Sequence, residues 1–86
     1  SKPVGIDIER LIFKSSVVKH FFSKNEQEII KNSLDKELDF TTIWVKKEAY
    51  IKYLGLDITS IRKIDTAKIT GFTIKKYKEY IIGIKE

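Results

Sequence analysis

Val4-Gly5-Ile6-Asp7-Ile8-Glu9 alternates apolar and charged residues with period two. In an extended chain Val4, Ile6 and Ile8 fall on one face, and Asp7 and Glu9 fall on the other. The pattern predicts a strand over residues 3–9. Carboxylates at i and i+2 project from the same face with their Cα atoms about 6.5–7 Å apart. Oxygens so placed can converge on one hard cation. Mg²⁺ prefers such carboxylate oxygens and keeps positions open for water and phosphate. The same D-x-E spacing also fits an edge strand with a solvated charged face.

Downstream the period changes. Ser16–Phe22 predicts a short helix with an apolar face. Ser23-Lys24-Asn25-Glu26 has the spacing of a capping box, with Phe22 placed for a hydrophobic staple. A helix over residues 24–34 follows, with Ile29, Ile30 and Leu34 inward. Apolar residues then recur at 40, 43, 44, 51 and 54, which predicts a long helix over residues 39–54. Asp39 is its candidate cap and Gly55 its stop. Residues 56–67 are irregular, with Leu56, Ile58, Ile61 and Ile64 expected against the core. Residues 68–75 and 79–85 predict a hairpin around Lys76-Tyr77-Lys78, with Tyr80, Ile82 and Ile84 on one face. The order β-α-α-α-β-β implies an α+β domain, a small antiparallel sheet packed on helices.

Eighty-six residues suffice for one domain. The absence of cysteine excludes disulfides and thiolate metal sites. The single histidine, His20, excludes a multi-histidine zinc site within one chain. No apolar run approaches the ~20 residues of a membrane span, and a cytoplasmic setting is expected. The lack of Met suggests a chain entered in mid-protein. Lys and Arg balance Asp and Glu at seven each over residues 1–45, whereas residues 46–86 hold ten basic and five acidic. A basic half suggests an anionic partner: nucleic acid, membrane surface, phosphorylated cofactor or acidic protein. The bases are 15 Lys and 2 Arg. Base readout favours Arg, so specific DNA reading is disfavoured.

The long helix carries the second chemical feature. Trp44, Glu48 and Lys52 stand at i, i+4 and i+8, on one stripe. Glu48 therefore lies beside the core-facing side, where a carboxylate is costly without a cation or hydrogen bonds. It reads either as a surface pair with Lys52 or as a third metal ligand or general base, with Lys52 facing a phosphate. Trp44 is expected as a core anchor and His20 as structural. Glu26 is expected as a capping residue, and Phe21 and Phe22 as core or docking residues.

In series, Gly5-Ile6-Asp7-Ile8-Glu9, Phe21-Phe22-Ser23-Lys24-Asn25-Glu26 and Trp44-Val45-Lys46-Lys47-Glu48-Ala49-Tyr50-Ile51-Lys52-Tyr53-Leu54-Gly55 resemble the 4′-phosphopantetheinyl transferase superfamily. The matching pattern is (V/I)-G-(I/V)-D-(I/V)-E, then F-F-S-x-x-E, then W-x-x-K-E-A/S-x-x-K-x-x-G. It is most similar to the C-terminal half of the larger, surfactin-synthetase-activating type, and it covers residues 3–55 by motif.

The resemblance implies Mg²⁺-dependent transfer of the phosphopantetheine arm of coenzyme A to a serine of an acyl or peptidyl carrier protein. Such carriers serve fatty acid or nonribosomal peptide synthesis. By position it implies that Asp7, Glu9 and Glu48 bind the metal, that Glu48 is also the base, and that Lys52 and Lys47 contact the coenzyme. It further implies that residues 1–86 form one domain that needs an N-terminal half or a second copy to complete the site. Neither nucleic acid nor membrane is an expected partner on this reading. The competing functions are a non-catalytic carrier-protein module and a basic nucleic-acid-binding domain.

Overall fold

A computed structural model describes residues 2–86. The elements are β1 (Gly5–Arg10), α1 (Ser15–Phe21), α2 (Lys24–Lys31), α3 (Lys36–Leu54), two 3₁₀ segments (Ile58–Lys63 and Thr66–Lys68), β2 (Phe72–Tyr77) and β3 (Tyr80–Lys85). The three strands form one antiparallel sheet in the order β1-β3-β2. The expected α+β order stands. No helix among the described residues is long and apolar enough to cross a membrane.

α3 is the middle layer. The sheet covers one side; α1, α2 and the 3₁₀ segments cover the other. Its buried residues, Phe40, Thr41, Ile43, Val45, Lys47, Ala49 and Ile51, therefore point around the helix rather than along one stripe. On the helical side, Phe22, Ile30, Phe40 and Ile43 make one cluster, and Ile51, Ile61 and Ile64 make another. Trp44 touches both clusters, as the anchor expected of it. Its ring lies nearly parallel to those of Phe22 and Phe40, with centroids 6.4 Å from each.

On the sheet side, two glycines let α3 come close. A Cβ built on Gly5 would lie 1.8 Å from the Ala49 carbonyl oxygen, and one on Gly83 would lie 2.1 Å from Val45 Cγ1. Asp7 pairs with Gly83 in the sheet, so both glycines flank the acidic strand residue.

Local chemistry sets the helix ends. Ser23 and Glu26 form the predicted capping box. The expected staple is absent, because Gln27 stands where its second apolar residue would be. The Gln27 amide instead donates to the Phe22 carbonyl at 3.0 Å. α2 stops at Asn32, short of the predicted residue 34, so Leu34 is fully exposed and Ile29 partly so. Only Ile30 of the three expected core residues is buried. α3 begins earlier than predicted. Asp35 is the cap, accepting from Leu38 N–H at 3.1 Å, while Asp39 accepts from the Ser33 hydroxyl instead.

At the other end of α3, Gly55 is the stop, with φ 67° and ψ 30°. Its N–H bonds the Lys52 carbonyl and the Leu56 N–H bonds the Ile51 carbonyl, a Schellman closure. In the irregular segment Ile61 and Ile64 are buried, whereas Leu56 and Ile58 are exposed. The hairpin turns at Lys78-Glu79, because strand pairing runs through to Tyr77↔Tyr80. It starts only at Phe72, since Thr66–Lys68 is a 3₁₀ turn.

Candidate active site

β1 carries its charges on the side that meets α3. Gly5 and Asp7 are buried, while Ile6 and Ile8 are about half exposed. β1 is an edge strand, but its charged face turns toward α3, with Asp7 buried and Glu9 partly so, unlike the fully solvated face of the bland alternative for D-x-E. The reason is steric. Gly5 admits the α3 backbone at a distance no side chain allows, so the Gly5/Asp7/Glu9 side turns inward.

That approach assembles a small acidic cluster. Lys52, from the last turn of α3, donates to Asp7 Oδ1 at 3.0 Å and to the Ile6 carbonyl at 3.1 Å. Asp7 Oδ2 is buried and, with Glu9 ionised, has no hydrogen-bond partner. Glu9 is pushed up to about 7, first by burial, then by the hydrogen bond that its protonated form would donate to Asp7 and by the charges of Asp7 and Glu48, against the opposing pull of Lys52. Burial and then the Asp7 charge also hold Glu48 above the ordinary carboxylate range, with Lys52 again opposing. Like charges confined near one another disfavour ionisation of Glu9 and Glu48. The structure thus brings Asp7, Glu9, Glu48 and Lys52 into one electrostatic unit. As the side chains stand, no three carboxylate or imidazole groups among the described residues gather into a ready-made ligand cluster.

Lys47 is not brought to this unit. It is fully buried on the helical side of α3, where its ammonium bonds Glu26 Oε1 at 2.6 Å and the Ile64 carbonyl. Burial lowers its pKa, with Glu26 opposing. An ammonium sealed in this way offers nothing to a cofactor phosphate. His20 is exposed on α1 beside Phe21, away from the acidic unit.

Sequence reasoning missed the depth of Glu26. Beyond its cap bond from Ser23 N–H, it accepts from Lys47, Thr66 N–H and the Thr66 hydroxyl. The partners at positions 47 and 66 have no local spacing to it. The available signal was the capping-box glutamate itself, which draws a carboxylate toward the protein interior.

Fold and site together define a domain built around an acidic strand apposed to a Lys-Glu helix. The sequence profile of the 4′-phosphopantetheinyl transferase superfamily matches residues 3–85, and the chain belongs to that superfamily. Among curated proteins, it is similar to the 4′-phosphopantetheinyl transferase HetI of Nostoc sp. (strain PCC 7120 / SAG 25.82 / UTEX 2576). The two are 35% identical over 72 residues, covering 78% of this chain and 30% of that protein. The chain thus spans about a third of the length of that relative.

Proposed function

We propose that this chain supplies the metal-binding part of a cytoplasmic, Mg²⁺-dependent enzyme. The enzyme transfers the 4′-phosphopantetheine arm of coenzyme A to a serine of an acyl or peptidyl carrier protein. The observation that carries this reading is Asp7 Oδ2, a buried carboxylate oxygen that lacks a partner once Glu9 is ionised, in a cluster whose other carboxylates resist ionisation. A buried anion in that condition calls for a cation. Hard oxygen donors of this kind suit Mg²⁺. Asp7, Glu9 and Glu48 are the residues that would hold it. Bound there, the ion would neutralise charge on the pyrophosphate of the coenzyme.

The rest falls to the chain's own groups. Glu48 removes the proton from the carrier serine, since its raised affinity for protons suits a general base. The serine oxygen then forms a bond to phosphorus as the bond to the leaving phosphate breaks, releasing adenosine 3′,5′-bisphosphate. Lys52, half exposed beside Asp7, binds a phosphate oxygen as a point charge. The basic residues of 46–86 draw in both the polyanionic coenzyme and an acidic carrier.

A second protein surface completes the site on this reading, whether an N-terminal half or another copy. The sheet face away from α3 supports it. Ile6 pairs with Ile84 and Ile8 with Ile82, and this apolar row is left partly exposed beside Tyr80. Contiguous apolar patches of this type mark interfaces.

The test is transfer of a labelled arm to an apo carrier protein, read as a mass gain on the carrier. The protein containing this chain is expected to label the carrier with Mg²⁺ present, and the Glu48→Gln variant is expected to leave it unlabelled. Wild-type turnover by that variant would overturn the assignment.

A further inference from the structure

Lys47 and Glu48 are neighbours with opposite tasks. Successive helical residues point about 100° apart, so one enters the helical side of the core while the other reaches toward β1. Lys47 ends in a buried cluster contributed by two other segments, residues 23–26 and residues 64–66. Glu26 at the start of α2 holds Ser23 N–H at 2.8 Å, Lys47 Nζ at 2.6 Å, Thr66 N–H at 2.8 Å and the Thr66 hydroxyl at 2.7 Å. The Ile64 carbonyl takes a second bond from Lys47. Glu26 and Lys47 have no exposed surface, and Thr66 is buried.

We infer that the Glu26–Lys47–Thr66 cluster is a positioning element, one that sets the rotation of α3 about its axis and thereby the place of Glu48 opposite Asp7 and Glu9. It rests on the reading of those carboxylates as cation ligands. The sheet side of α3 constrains rotation less firmly. Its close approaches are to Gly5 and Gly83, which present no side chain, and its side-chain hydrogen bonds to β1 come from the long, half-exposed Lys52. A rotation of 20° carries a side-chain end about 2 Å around the axis, enough to remove a ligand. The cluster is directional, because each oxygen of Glu26 has two assigned donors. A buried ion pair contributes little net stability against apolar residues of similar size, while it can specify geometry.

The test is a double-mutant cycle read in Mn²⁺ affinity, by electron paramagnetic resonance of the free ion, in the protein that carries this chain. Thr66→Val keeps the side-chain shape and removes one bond to Glu26. It is expected to weaken Mn²⁺ binding about tenfold, the scale of lost outer-shell support. In the Glu48→Gln background the same change is expected to have no further effect. Thr66→Ser, which keeps the hydroxyl, is expected to bind as the wild type does. Lys47→Met combined with Glu26→Gln removes both charges and provides a second route to the same comparison. Equal weakening in both Glu48 backgrounds would mean general loosening and would overturn the inference. Unchanged affinity with Glu48 present would do the same. Failure of the unaltered protein to bind Mn²⁺, or indifference of binding to Glu48→Gln, would instead overturn the reading of the carboxylates themselves.

Discussion

Substituting Gly5 by Ala should separate α3 from β1 and dismantle the acidic unit. The added Cβ would stand 1.8 Å from the Ala49 carbonyl oxygen and 2.6 Å from Tyr53 N. Both are backbone atoms of a helix packed on its other side, so no rotamer change relieves the clash. α3 must retreat by more than about 1 Å to restore van der Waals distance. That retreat stretches the 3.0 Å Lys52–Asp7 contact beyond hydrogen-bond range. Overpacking costs about 1–3 kcal/mol and occasionally more; a backbone clash places Gly5→Ala at about 3 kcal/mol. In a domain this size, that lowers the melting temperature by about 12–24 °C.

Gly83→Ala makes the informative control. Its Cβ would meet Val45 Cγ1 at 2.1 Å, a side-chain atom that Val45→Ala deletes. Thermal unfolding of the single and double variants should show Val45→Ala recovering at least about 1 kcal/mol of the Gly83→Ala loss. Ala49→Gly should recover nothing for Gly5→Ala, because the opposing oxygen belongs to the main chain. A stable Gly5→Ala protein, or its rescue by Ala49→Gly, would refute the close-approach account.

Two further outcomes follow from other contacts. Thr41, fully buried on α3, accepts from Ile12 N–H and donates to the Ile12 carbonyl, both at 3.0 Å; Thr41→Val should cost about 1–3 kcal/mol in denaturant unfolding by leaving both backbone groups without partners. Glu9 binds its proton up to about pH 7 when folded, against an ordinary 4.5. Between those values the unfolded chain has released a proton that the folded chain retains, so without added metal Glu9 should make stability fall as pH rises from 4.5 to about 7. Glu9→Gln should flatten that part of the profile, and an unchanged slope would place its origin elsewhere.

Much of the fold was legible because its signals are local. The capping box needs only Ser23 and Glu26 at the right spacing, and Gly55 ends α3 by adopting a left-handed conformation. The existence and order of the elements follow from period changes along the chain. Burial was less legible. Leu34 and Ile29 carry the same apolarity as Ile30, yet α2 ends before Leu34 and only Ile30 reaches Phe22 and Phe40. Likewise Asp35 and Asp39 are equivalent as sequence caps, and only the path of the preceding turn separates them.

The candidate site divides in the same way. Alternation along β1 determined that Asp7 and Glu9 share a face, and helical spacing determined that Glu48 and Lys52 share a stripe. Both are properties of one element's geometry, so the sequence suffices for them. Tertiary structure alone decided which face of β1 turns inward. Hydrophobicity would choose the isoleucines, but the absent side chains of Gly5 and Gly83 let α3 settle on the charged side. It also decided the fate of Lys47, which adjoins Glu48 in the chain but points about 100° away from it around the helix. A partner 21 residues away at Glu26 holds its charge in the core, and no local pattern encodes that meeting.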